Sequence, residues 1–87
     1  MSYEYRDDIL RELARHGISP HSTTAPELIR SFLSDLYRYE IRRLKGGLQR
    51  GDFPKPEYAG RVAVLRDRYW LLSYPIRQWL KKLGQVQ

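Results

Sequence analysis

Between residues 58 and 83, apolar side chains recur at Tyr58, Val62, Leu65, Tyr69, Leu72, Ile76, Trp79 and Leu83. The gaps alternate between four and three without a slip, the spacing of a helix that packs along its whole length. Ala63, Val64, Trp70 and Leu71 stand off that seam, interrupted by Arg66, Asp67 and Arg68. A helix apolar on nearly every side needs more than one neighbour. Pro56 in the first turn opens a predicted helix over 57–83. Pro75 cannot donate to the carbonyl of Leu71. Because the seam stays in phase across it, the pattern predicts a kink there, with Ser73 as the alternative cap of a separate helix.

Two shorter helices precede this one. The first spans 3–16, with Glu4, Asp7 and Asp8 early and Arg11, Arg15 and His16 late, an order that suits the helix dipole. Its inner face is Ile9, Leu10 and Leu13. Gly17 takes the left-handed turn after it, Ile18 folds back onto Leu13, and Pro20 prevents a restart. The second spans 25–45, capped by Thr24 with Glu27 completing a capping box and Pro26 in the first turn. Leu28, Ile29, Phe32, Leu33, Leu36, Tyr37, Ile41 and Leu44 form its apolar arc, and Gly46-Gly47 mark its end. Phe53 plugs the end of the bundle from the connection that follows.

Helices two and three, joined by a modest loop, are predicted to lie antiparallel, with Leu44 near Tyr58, Leu36 or Tyr37 near Leu65, and Leu33 near Tyr69. At ~1.5 Å per residue helix two is roughly 30 Å long and helix three about 40 Å. The far end of helix three therefore overhangs, and helix one covers only part of it. The expected fold is all-α: one domain of three helices on a long antiparallel hairpin kinked at Pro75, dimerising into a bundle.

Length, composition and charge sharpen this in four ways. Eighty-seven residues make one domain with a modest core, and such domains often gain stability from a partner. The chain has no cysteine, which removes disulfides and thiolate zinc sites. The first residues carry no leader signal and no segment approaches a membrane span, so a cytoplasmic protein is expected. Sixteen Lys and Arg against ten Asp and Glu give a net charge of +6, which admits an anionic partner.

Candidate chemistry is sparse. Glu40 points into the apolar arc, where an ion pair with Arg43 or Arg66 explains it better than a catalytic base does. His16 and His21 flank a turn and lack further ligands, so no metal is expected. Gly46 and Gly51 are spaced as in a phosphate loop, but Asp52 and Phe53 occupy the positions of the Lys and Ser/Thr, and no strand precedes them. With no nucleophile–base–orienter set, neither an enzyme nor a cofactor is expected. The basic-aromatic stretch 74–83 reads as core with snorkelling cations rather than a membrane-surface helix.

Two functions remain. The first is a non-enzymatic protein–protein interaction module, homodimeric through Ala63, Val64, Trp70 and Leu71 of helix three. The second is a small nucleic-acid-binding protein using a positive rim of Arg38, Arg42, Lys45 and Arg50, with Lys55 beside it and Tyr39 to stack a base. Glu27, Asp35, Asp52 and Glu57 interrupt that rim, and no helix-turn-helix, zinc-finger or RNA-binding signature accompanies it.

Overall fold

The computed structural model describes residues 2–81. It is mostly helical, with three α-helices and no strand among the described residues: α1 (Asp7–Arg15), α2 (Pro26–Arg50) and α3 (Tyr58–Arg68). Short 3-10 turns occupy Lys55–Glu57, Trp70–Ser73 and Ile76–Gln78. No helix is long and apolar enough to cross a membrane among the described residues. The chain divides into two compact units, one holding the residues up to Arg30 and those from Tyr74 onward, the other holding Ser31–Ser73.

In the first unit, α1 is shorter than its polar pattern predicts. Residues 3–6 are not helical, because Tyr5 pairs with Leu80 as an antiparallel bridge. The Arg6 N–H donates to the Trp79 carbonyl at 2.9 Å, and the Lys81 N–H donates to the Glu4 carbonyl at 2.7 Å. Backbone donors that a longer helix would have left open at its first turn are used across the chain instead. The end of α1 follows the expectation. Gly17 has φ +76°, its N–H meets the Ala14 carbonyl at 3.0 Å, and the Ile18 N–H meets that of Leu13 at 3.0 Å. Ile18 and Leu13 are both buried, which completes the hydrophobic contact of this cap.

Large side chains close around that frame. Tyr5, Ile9, Leu13, Ile18, Pro26, Ile29 and Trp79 are all buried. Trp79 is 0% exposed and its Nε1–H donates to the Tyr74 carbonyl at 3.3 Å. The Tyr5 hydroxyl donates to the Thr24 carbonyl at 2.6 Å, and burial pushes its pKa up to about 12. Arg6 ties the ends together, donating to the Tyr74 hydroxyl at 3.0 Å, the Gln78 carbonyl at 2.8 Å and both carboxylate oxygens of Asp8. Those hydrogen bonds hold the Asp8 carboxyl below its ordinary value.

At the start of α2 the capping box is absent. Thr24 Oγ1 accepts from the His21 N–H at 3.0 Å, which leaves Ala25 before Pro26 as the residue whose carbonyl takes the first helical bonds. Pro26 still opens the helix, where its missing donor costs nothing.

The second unit overturns two expected boundaries. Gly46-Gly47 do not end α2, which continues five residues beyond Lys45 to Arg50. The stop is Gly51, with φ +77°. Its N–H meets the Leu48 carbonyl at 3.1 Å, and the Asp52 N–H meets that of Gly47 at 2.9 Å. Gly47 is buried, and a Cβ there would lie 3.3 Å from Cε2 of Phe53. The glycine's missing side chain therefore lets Phe53 fold back over the last turn rather than ending the helix.

Nor is there one helix over 57–83 kinked at Pro75. α3 ends at Arg68, one turn before the proline forces anything. Pro75 disfavours helical backbone at Tyr74, and the chain approaches it through the tighter Trp70–Ser73 turn. The break has a packing reason. Residues 69 and 71 of an α-helix stand about 200° apart and cannot both face one core; here Tyr69 and Leu71 are both buried, and Trp70 between them is exposed. Residues 82 and 83 of the expected helix lie outside the described residues.

Candidate functional site

The four residues expected at a partner surface separate. Ala63 is exposed, Val64 is 60% and Trp70 40% exposed, but Leu71 is only 1% exposed and is a core residue. The change in backbone after Tyr69 turned it inward. Around α3, Gly60, Ala63, Val64 and Asp67 are all exposed and, at spacings of three and four, share one face. A Cβ on Gly60 would meet nothing within 4 Å. That face therefore carries only Gly, Ala, Val and the short Asp67, and Trp70 follows three residues later.

Glu40 is held by residues other than those expected. It accepts from the Tyr69 hydroxyl at 2.5 Å and lies 3.5 Å from Arg68 Nη1; neither Arg43 nor Arg66 is its partner. Burial, followed by that hydrogen bond to the carboxylate, pushes the Tyr69 pKa up to about 12. The Tyr37 and Tyr69 rings stand 5.4 Å apart, tilted by 57°. Leu33 was expected at Tyr69, so the pairing is displaced by about one turn, which the extra turn of α2 explains.

The basic rim also divides. Arg38, Arg42 and Lys45 are exposed on one side of α2, with Arg38 3.4 Å from Asp35. Arg50, eight residues after Arg42, is turned about 80° round the helix. It lines an open groove of ≈ 880 Å³ with residues that the sequence did not bring together: Arg43 from α2, and Arg61, Val64 and Arg68 from α3. Leu44, Gly47 and Leu65, buried or half-buried, form the floor. Phe53 closes one end, its ring under the Arg61 guanidinium at 4.3 Å.

Three carboxylates line the same groove, each beside a guanidinium: Asp52 to Arg50 at 3.0 Å, Glu57 to Arg61 at 3.1 Å, and Glu40 to Arg68 at 3.5 Å. Arg43 instead lies over the Tyr39 ring at 5.9 Å. The signal for this cluster was present in the spacing. Arg43, Gly47 and Arg50 share a helix face, as do Arg61, Val64 and Arg68, but only if α2 runs through its glycines.

No group of three or more His, Cys, Asp or Glu side chains able to hold a metal occurs among the described residues. His16 lies beside Glu12 in α1, Nε2 to Oε2 3.8 Å. Comparison with protein-family models, with curated proteins and with solved structures found no match.

Proposed function

We propose that this protein is a non-enzymatic interaction module that self-associates through the outward face of α3, with α2 and α3 acting as an antiparallel helical hairpin. The observation that carries the reading is the exposure of Val64 at 60%, beside the small residues Gly60 and Ala63. A second helix can approach such a face closely, and Trp70 adds apolar area at its end. The face is also self-complementary. An antiparallel crossing of α3 on its own copy, centred at Val64, sets Arg61 of one chain opposite Asp67 of the other, as a two-fold interface requires.

Light scattering across a concentration series tests this. A mass of about twice 10.4 kDa is expected, falling to the monomer in Gly60→Glu, whose side chain projects into open space in the single chain. A mass of 10.4 kDa at every concentration removes the homodimer. Nucleic-acid binding ranks second, because Arg38, Arg42 and Lys45 share a side of α2 from which Arg50 is turned away. It predicts oligonucleotide affinity that falls steeply with salt and is lost in Arg38→Glu with Arg42→Glu.

A further inference from the structure

The groove of the second unit joins two chemistries that are separate elsewhere in that unit. Its floor is apolar, made by Leu44, Gly47 and Leu65, with Val64 at the edge. Its sides carry four guanidiniums against three carboxylates. Each carboxylate already meets one guanidinium, and the fourth, Arg43, has no carboxylate partner among the described residues. These ion pairs are largely exposed, where such pairs contribute little. A guanidinium has five N–H donors, so an arriving carboxylate can add to a pair or replace it bidentately. Ser31–Ser73 as a whole holds nine Lys and Arg against five Asp and Glu, so the surrounding field also favours an anion.

We propose that this groove binds an acidic peptide segment bearing aliphatic side chains. Its carboxylates meet Arg43 and the neighbouring guanidiniums, and an aliphatic side chain covers Leu44 and Leu65. A nucleic-acid strand fits less well. Among the described residues Phe53 is the one aromatic side chain lining the groove, and Arg61 already covers one face of it at 4.3 Å, which leaves little ring surface on which a base can stack. Glu40, Asp52 and Glu57 also stand where a continuous run of phosphates would pass. The groove shares Gly60, Arg61 and Val64 with the self-association face, whereas Ala63 and Asp67 lie on that face outside the groove and Arg43, Arg50 and Arg68 line the groove alone.

The test is fluorescence anisotropy with a labelled peptide alternating Glu and Leu. Two controls replace Glu by Gln or Leu by Ser, and oligothymidylate is the competitor. The Glu–Leu peptide is expected to bind in the micromolar range, about tenfold tighter than either control, and to weaken as salt rises. Arg43→Glu is expected to lower that affinity about tenfold, and Arg43→Gln by less; Arg38→Glu, on another side of α2, leaves it within about twofold. Circular dichroism of Arg43→Gln confirms that the fold survives. Ala63→Glu, an exposed position of the self-association face outside the groove, is expected to be monomeric and to retain peptide binding, which separates this site from self-association. No saturable binding up to millimolar peptide overturns the proposal. So does equal loss in Arg38→Glu and Arg43→Glu, or displacement of the peptide by oligothymidylate at lower concentration.

Discussion

The first unit has the less regular backbone and the more complete core; the second has longer regular helices and leaves much of its apolar surface open. In the first, a nine-residue helix, an isolated bridge and a 3-10 turn hide Ile9, Leu13 and Trp79 entirely. In the second, α2, α3 and the turn after α3 leave Phe32, Tyr39, Val64 and Trp70 exposed, against Leu10 and Leu28 in the first. Regularity and closure have different causes. A long helix satisfies its backbone locally whatever its side chains touch, whereas closure needs contacts between distant residues, such as Arg6 with Tyr74 and Gln78, 68 and 72 positions away. Fully buried large side chains are therefore more numerous in the first unit, and the exposed face of α3 lies in the second.

The sharpest way to break that contrast is a matched pair of substitutions. Trp79→Ala is expected to lose about 3–5 kcal/mol of stability, because a fully buried indole leaves both a cavity and an unfilled core. Val64→Ala, in the exposed face of α3, is expected to change the single chain's stability by less than about 0.5 kcal/mol. Urea unfolding of both variants at a concentration where the protein is monomeric measures the difference. Similar losses would mean that Trp79 and Val64 do not differ in burial as argued.

Each unit also holds one tyrosine whose pKa stands at about 12, Tyr5 and Tyr69. The folded value lies above the ordinary value of 10.0 in both. The stabilisation is thus fully present below that ordinary value and is lost as pH rises through the folded one. Stability should fall between about pH 10 and 12, and absorbance of the phenolates should show Tyr5 and Tyr69 ionising late. Tyr69→Phe should remove one late step and leave that of Tyr5. If Tyr5→Phe and Tyr69→Phe remove no late step from the folded protein's titration, the burial assigned to both rings is wrong.

Glycines give the smallest effects and opposite signs. Gly51→Ala should cost about 1–2 kcal/mol, since its φ of +77° is left-handed. Gly60→Ala lies within α3 with open space around the new methyl, and should stabilise the single chain by about 0.5–1 kcal/mol. Thermal unfolding of the two variants distinguishes a turn glycine from a helix-face glycine. Stabilisation by both would undo the assignment of Gly51 as the stop of α2.

Much of the helical content was legible because its signals are local. The cap at Gly17 with Ile18 on Leu13, the opening at Pro26 and the seam through Val62 and Leu65 each depend on neighbours within a turn or two. The misread boundaries share a different cause. Gly46-Gly47 look like a stop until Phe53 is known to fold over them, and residues 3–6 look helical until the Trp79 carbonyl is known to take the Arg6 N–H. The inward turn of Leu71 is a case of the same kind: it is buried within the Trp70–Ser73 turn that replaces the expected helix.

The sequence alone therefore determined the class of fold, the two glycine-dependent reversals available to it, and a basic surface without a recognisable catalytic set. Which glycine stops α2, which side Leu71 faces and which arginines meet across the groove were decided by tertiary structure. These are outcomes of competition between a local preference and a distant partner. Local propensities differ by about 1 kcal/mol per residue, whereas burying a large side chain contributes about 1.5–3 kcal/mol, so packing prevails wherever the two disagree.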